Sequence, residues 1–234
     1  MDTENVGEIM VDKRAAPQGM GPEGPASIDY IRFFRAIDCI IAGIIMLICL
    51  LSLKRMFDVL PVPFIQYFYV IAAYLIFYGA MWFPQSGFKL FLYNKSLMAL
   101  KWSSFVVLLL SPFLHWWSQD PERTYLLMNF MGLCIASAIM IVCISNLAYA
   151  VAREDNLILI SWMSRISRLA ALYLMLAPVI AFFVTVIFGK CSGQDIFLFI
   201  VKVERWQLLI FLFPVVLSLA TLMQLRYAKY RKLK

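Results

Sequence analysis

His115 is the only histidine of the chain and the first residue to consider for acid–base chemistry or metal binding. It lies in the stretch LLLSPFLHWW, residues 108–117, and Asp120 and Glu122 follow it closely. A zinc or catalytic site needs further imidazole or thiolate ligands, and none are near in sequence. A helix that starts at Trp102 rises about 20 Å by His115, at 1.5 Å per residue. His115 and the tryptophan pair after it then reach a membrane interface, so we interpret His115 as an interface residue.

The remaining residues that could do chemistry form no recognisable active site. The chain contains no G-x-S-x-G, H-E-x-x-H or phosphate-binding glycine loop, and no Ser-Lys dyad stands out. Its five cysteines are scattered without a C-x-x-C pair, so neither a zinc site nor a disulfide framework is predicted. The sequence therefore predicts no enzyme activity, no cofactor and no metal.

The composition indicates that the solvent of this chain is a lipid bilayer. Apolar residues make up 63% and charged residues 15%, against roughly 45–50% and 25% in soluble domains. A soluble domain of this size has too much surface to hide so many apolar side chains. Apolar runs of about 18 or more residues are long enough to cross roughly 30 Å of hydrocarbon.

Six apolar segments divide the chain, and backbone amides in lipid must be paired, so each is predicted to be a helix. Continuous apolar runs exclude the alternating strands of a membrane barrel. We predict an all-α polytopic membrane bundle over residues 28–225, after a flexible polar tail (1–27) and before a basic tail (226–234). The tail lacks a signal-peptide pattern, so the first span is expected to be retained. The segments are residues 36–53, 63–83, 102–118, 124–150, 169–189 and 206–225.

The distribution of basic residues predicts the orientation of these segments. If all six cross, 15 of the 21 Lys and Arg residues fall on one side and 6 on the other. Basic residues concentrate on the cytoplasmic side, so both termini are expected there, with the plasma (inner) membrane as the location. The net charge of +7 then indicates attraction to anionic lipids. Nucleic-acid binding is not predicted, because no motif of that class is present.

Two segments that lead into spans carry amphipathic patterns. In IDYIRFFRAI (28–37) and LISWMSRISRLA (159–170), basic residues oppose large apolar ones at helical spacing. We expect interfacial helices before spans one and five. Arg35, Lys101 and Arg168 lie 66 and 67 residues apart. This spacing indicates either an internal repeat or the ordinary period of a six-span chain with short loops.

Pro112, Pro178 and Pro214 each lie inside a predicted span. A proline removes one backbone hydrogen bond and crowds the preceding turn, so each helix is expected to bend there. Two interpretations remain open. The prolines are ordinary kinks of membrane helices, or they shape a cavity or gate.

A few polar and small residues stand inside the spans. Asp38 is expected to pair with Arg35 one turn earlier, the alternative being a proton- or cation-binding role. Gly132 and Ala136 form a small-xxx-small pair suited to close helix packing. Together with Asn129 and Asn146, they predict that span four is the most central helix.

The C-terminal sequence QLRYAKYRKLK is strongly basic. It is either a simple anchor for span six or a contact surface for anionic lipid or an acidic partner. The residues concerned are Arg226, Lys229, Arg231, Lys232 and Lys234.

These observations favour a non-enzymatic membrane protein that works within an assembly. It would be a scaffold subunit of a membrane complex or a self-associating pore-forming subunit, as a homo-oligomer or with other subunits. Short loops and the absence of a soluble domain support this expectation. The alternative is a small-solute or ion transporter, a channel or a carrier, that uses the proline-kinked helices. A membrane-embedded lipid enzyme is a weaker alternative, because the sequence shows no set of polar catalytic groups for it.

The charge distribution makes a direct prediction about topology. Single cysteines placed at Gly7 and Lys232 should react with an impermeant thiol reagent only from the cytoplasmic side, and one at Gln119 only from outside. Labelling of the two termini from opposite sides would contradict an even number of crossings.

Overall fold

The computed structural model describes residues 30–57, 65–84, 91–120, 122–190, 192, 194–196, 198 and 205–233. The predicted tail 1–27 and Lys234 lie outside this range. Within it the chain is helical and contains no strand. The helices are α1 (Tyr30–Phe57), α2 (Ile65–Trp82), α3 (Phe91–Gln119), α4 (Thr124–Glu154), α5 (Ile158–Ala170), a π-helical segment (Ala171–Leu176), α6 (Ala177–Ile187) and α7 (Arg205–Leu233).

Four of these helical stretches are long and apolar enough to cross a membrane. They are Tyr30–Leu50, Leu92–Trp117, Thr124–Glu154 and Ile158–Ile187, and α2 contributes a shorter apolar helix, Tyr67–Trp82. The prediction of an all-helical membrane protein is therefore confirmed. Six crossings stay a prediction, because only four of the described helices meet the length and hydropathy that a span requires.

The two amphipathic segments do not form separate interfacial helices, so this prediction is wrong. Residues 30–37 are the first turns of α1, and α5 runs through the π-helical segment into α6. No glycine or proline interrupts the sequence between Ile158 and Ala177, and the polar face of α5 finds partners on α4. The large apolar side chains Ile158 and Trp162 stay exposed, while Ser164 and Ser167 are buried.

α4 is the most deeply packed of the four apolar stretches. Within its most apolar window 56% of the residues are buried, against 39% for α1, 28% for α3 and 6% for the α5–α6 stretch. Its small residues are buried on several faces, as at Ala136, Ala148 and Ala152. The expectation that span four is central agrees with this burial.

A three-residue connection turns the chain from α4 into α5. Asn156 adopts a left-handed conformation with φ 57°, which asparagine tolerates better than most residues. The Asn156 amide donates to the Arg153 carbonyl (3.2 Å) and the Leu157 amide to the Ala152 carbonyl (2.8 Å). This pair of bonds is the Schellman arrangement that ends helices. It brings Asp155 to the carbonyl-rich end of α4.

Two of the three prolines are accommodated in different ways. A proline leaves the carbonyl four residues earlier without its usual donor. At Pro112 that carbonyl belongs to Leu108, and the Ser111 hydroxyl donates to it at 2.9 Å. At Pro178 the preceding turns widen into the π-helical segment Ala171–Leu176, which shifts the hydrogen-bond register ahead of the ring.

α1 and α2 cross at unusually close range because both present small residues. A Cβ atom at Gly43 would lie 2.8 Å from the Ala72 carbonyl oxygen, and one at Gly79 would lie 2.7 Å from the Ala36 carbonyl oxygen. On each helix the two small residues stand seven positions apart, two turns on the same face. Close packing of this kind holds membrane helices together, since lipid supplies no hydrophobic drive between them.

Replacing these glycines should therefore be costly. Gly43→Ala and Gly79→Ala are each expected to lower the free energy of unfolding by about 1–3 kcal/mol, because the added methyl group overpacks against backbone. Unfolding in detergent, followed by circular dichroism, measures the change.

Gly132→Ala on α4 is the matched control. Its Cβ would meet only the flexible Leu110 side chain, 3.3 Å away. Alanine favours helix over glycine by about 1 kcal/mol, so stability should hold or rise. Equal losses at all three glycines would contradict a close contact specific to α1 and α2.

Candidate functional site

The most concentrated set of interior polar side chains lies where α4, α5 and α7 meet. We call this line of residues the polar seam. It consists of Ser145, Asn146, Asp155, Ser167, Arg168, Ser218 and Lys229. The residues of α7 reach it because Pro214, Ser218, Leu222, Leu225 and Lys229 share one buried helical face.

Three buried serine hydroxyls form a triangle at the middle of the polar seam. The Ser145 Oγ lies 2.9 Å from the Ser167 Oγ and 3.2 Å from the Ser218 Oγ, and the last two are 2.6 Å apart. The Ser145 hydroxyl also donates to the Ile141 carbonyl at 2.9 Å. Each serine comes from a different helix, so the triangle joins α4, α5 and α7.

One arrangement of the hydrogen atoms gives every hydroxyl of this triangle an acceptor. Ser218 donates to Ser167, Ser167 donates to Ser145, and Ser145 donates to the Ile141 carbonyl. Ser167 has a second acceptor in the Pro214 carbonyl, 3.3 Å away. Three hydroxyls in direct contact leave no space for an ion between them. Within the described residues no histidine, lysine or carboxylate is recorded as a hydrogen-bond partner of these serines, so none has the base that an activated nucleophile requires.

The arginines of α5 attach its polar face to α4. The Arg168 guanidinium donates to the Asn146 side-chain oxygen at 3.2 Å. The Arg165 guanidinium donates to the Tyr149 hydroxyl at 2.8 Å and lies 5.1 Å from the Tyr149 ring centre. Cation–π contact and hydrogen bonding therefore act on the same pair of side chains.

A buried ion pair closes the end of the polar seam. The Lys229 Nζ lies 2.6 Å from the Asp155 Oδ2, and the two side chains are only 6% and 15% exposed. Asp155 follows the last turn of α4, where unpaired carbonyls make negative charge unfavourable. The ammonium of Lys229 neutralises both the carboxylate and that end of the helix.

A second ion pair joins α7 to α1, and it differs from the predicted one. The Arg226 Nε lies 2.5 Å from the Asp38 Oδ1, and its Nη2 donates to the Asp38 Oδ2 at 3.1 Å. Asp38 was expected to pair with Arg35. The structure instead gives it a bidentate partner 188 residues later, because the planar guanidinium of Arg226 meets both carboxylate oxygens. Both side chains are about half exposed.

The basic C-terminal residues belong to α7, which runs to Leu233. Arg226 and Lys229 face the bundle through the two ion pairs, while Arg231 is exposed. The side chain of Lys232 and all of Lys234 lie outside the described residues. Contact of this segment with lipid or a partner stays a prediction.

The other predicted positions are spread along the bundle. The Asn129 side chain donates to the Tyr125 carbonyl of its own helix at 2.8 Å. Gly132 and Ala136 face α3, and Ala136 is buried. Pro112 and Pro178 are half-buried, and Pro214 is buried and touches the polar seam through Ser167.

Charged and polar contacts at the opposite end of the bundle are local and exposed. The His115 Nε2 lies 3.0 Å from the Gln119 side-chain nitrogen, and Arg123 pairs with Asp120 at 2.5 Å. The Ser192 amide and hydroxyl both donate to Asp195 at 2.8 Å, which lowers the pKa of that carboxyl. The residues that the structure describes contain no group of three His, Cys, Asp or Glu placed to hold a metal.

The sequence predicted some residues of the polar seam and not the others. It placed Asn146 in span four, but it gave Ser167 and Ser218 no role, and it treated Lys229 as part of a basic tail. A serine at every third or fourth position of α5, in Ser161, Ser164 and Ser167, was the available signal. Such a row of small polar residues in an apolar helix is typical of a face that packs on other helices.

Comparison of the chain with protein-family models, curated proteins and solved structures found no match. The fold and the polar seam are therefore the observations from which a function can be proposed.

Loss of the buried ammonium should strongly destabilise the protein. Lys229→Met leaves the Asp155 carboxylate buried without its cation, and the free energy of unfolding is expected to fall by about 3–5 kcal/mol. Arg231→Gln is the control on the exposed face of the same helix, with an expected change of less than about 0.5 kcal/mol.

The double variant Lys229→Met/Asp155→Leu should recover most of this loss, because no buried charge then remains. Equal instability of the single and double variants would show that packing of the lysine stem, and not charge pairing, accounts for the effect.

Proposed function

We propose that this chain is a polytopic membrane protein without enzymatic activity that works inside an assembly, as a scaffold subunit or a self-associating pore-forming subunit. One observation carries the proposal. The apolar stretch Ile158–Ile187 has only 6% of its most apolar window buried, and no residue of α6 is buried.

A membrane helix with so little packing has few contacts that fix its position. Tyr173 is 72% exposed, and Ile180 and Val184 of α6 are 48% and 43% exposed. Helix association in lipid depends on van der Waals packing and interhelical hydrogen bonds. α5, the N-terminal part of the stretch Ile158–Ile187, has both packing contacts and hydrogen bonds with α4 and α7. One face of α6 packs through Val179, Phe182, Phe183 and Val186 against a buried cluster that includes residues of α3 and α4. A second subunit is the neighbour that we propose for its exposed face.

The chemistry of the interior supports a structural role for its polar groups. Each hydroxyl of the serine triangle donates to an acceptor within the chain, and the carboxylates of Asp38 and Asp155 each pair with a cation. Pairing of these groups within the chain stabilises the bundle, which supports a structural role for them.

We further infer six crossings with both termini in the cytoplasm, in the plasma (inner) membrane. The ion pairs of Asp38 with Arg226 and of Asp155 with Lys229 gather the start of α1 and the ends of α4 and α7. The Tyr93 hydroxyl, which donates to the Pro84 carbonyl at 2.8 Å, adds the start of α3 and the segment that follows α2. An even number of crossings with basic residues at the shared end supports this orientation.

The mass of the purified protein tests the proposal. In mild detergent the complex is expected to contain at least two chains, or one chain with stoichiometric partner subunits, by light scattering and native mass spectrometry. Ile180→Trp on the exposed face of α6 should weaken the assembly by about 1–3 kcal/mol through overpacking of the contact.

Ile71→Trp is the matched control, since Ile71 is 47% exposed on α2 and the same side chain is introduced there. A monomer without partners, or equal effects of the two tryptophans, would contradict an assembly through α6.

A further inference from the structure

An open groove of about 750 Å³ lies between α2 and α3, on the surface away from the polar seam. α2 contributes Phe77 and Met81. The remaining lining residues come from one face of α3, at the spacing of successive turns, and are Asn94, Leu97, Met98, Lys101, Trp102 and Phe105.

The two polar residues of this groove lie on the part of α3 nearer its start, with Leu97 and Met98 between them. Asn94 and Lys101 stand two helical turns apart on the same face of α3, at the end that the starts of α1 and α3 share. Beyond them the groove is lined by aromatic rings, and the Phe77 and Phe105 ring centres are 5.7 Å apart. Trp102, which is 62% exposed, borders the transition.

Among the described residues that line the groove, Lys101 is the only one with a charged side chain. It is half-buried, and within the described part of the chain no carboxylate is recorded as its partner. An ammonium in an apolar membrane segment is costly unless an anion accompanies it. Lysine can extend its apolar stem along such a surface and present its charge toward the headgroups.

We propose that this groove binds an anionic phospholipid, with the phosphate held by Lys101 and Asn94 and one acyl chain lying along Trp102, Phe105 and Phe77. From Asn94 to Phe105 the groove extends about 16 Å at 1.5 Å per residue. The part from Asn94 to Lys101 takes about 10 Å of that length and receives the headgroup, and the remaining turn to Phe105 receives the first carbons of the acyl chain. This lipid site needs a membrane but no partner subunit. The proposal is therefore independent of the proposed assembly and goes beyond it.

Lipid retention by the full chain tests the site. The protein is reconstituted in vesicles of equal phosphatidylglycerol and phosphatidylcholine, extracted in mild detergent, and its retained lipid is counted by native mass spectrometry. We expect phosphatidylglycerol to be enriched about tenfold, because both lipids carry a phosphate but the choline cation of phosphatidylcholine is repelled by the ammonium of Lys101. Lys101→Gln should abolish the enrichment and Lys101→Arg should keep it.

Arg153→Gln removes an exposed basic residue of α4 outside the groove and should leave the enrichment unchanged. Glycerol 3-phosphate has the charge without the acyl chains and should not displace the lipid. Displacement by it would overturn the proposal in favour of a site for free phosphate esters. Absence of enrichment in the unaltered protein, or its persistence in Lys101→Gln, would overturn the proposal as well.

Met98→Trp is a second variant that tests the lipid site if Lys101→Gln does not fold. Met98 is 64% exposed and lines the groove, so a tryptophan there fills it while the charge of Lys101 remains. Retention of phosphatidylglycerol is expected to fall, and unchanged retention would overturn the proposal.

Discussion

The ion pair between Lys229 and Asp155 is the contact that fixes how the last helix joins the rest of the bundle. Both charges are buried, so separating them is far more costly than breaking a pair at the surface. A shift of α7 by one turn would carry Lys229 about 5.4 Å along its axis and leave both groups without a partner. The register of α7 is therefore fixed, and Arg226 and Ser218, one and three turns away, reach Asp38 and the other serines from that register.

The helices are joined by contacts that differ along the chain. α1 and α2 approach through Gly43 and Gly79 until backbone atoms of one helix face the glycines of the other. α4, α5 and α7 are joined by hydroxyl groups that satisfy one another. In a bilayer the apolar side chains gain nothing by leaving lipid for protein, so close packing and paired polar groups stabilise the fold.

Because the interior polar groups are paired, the surfaces that remain for interaction face outward. The α5–α6 stretch presents large apolar side chains over its whole length, and the groove between α2 and α3 presents a cation beside aromatic rings. The first surface supports contact with another subunit and the second supports contact with a lipid. Both surfaces consist of side chains that the described part of the chain leaves uncovered, and they lie on different helices.

The sequence by itself determined the class of protein and the helices. Apolar runs in a bilayer have to pair their own backbone groups, which only a helix achieves within one segment. Described helices lie over all the predicted segments, although the fifth is divided among the end of α5, the π-helical segment and α6. Local rules failed where a partner came from far along the chain. The spacing of Arg35 and Asp38 predicted an ion pair within one helix, but the Asp38 carboxylate pairs with Arg226. Lys229 was predicted to belong to a basic tail, but it pairs with Asp155 at the end of α4.

The amphipathic pattern of α5 suggested a helix lying on the membrane surface. The structure instead buries its serine face against α4 and α7, since periodicity reveals which residues share a face but not what that face meets. Which charges pair, which glycines touch backbone and which serines meet depend on the arrangement of whole helices, and only the tertiary structure decided them.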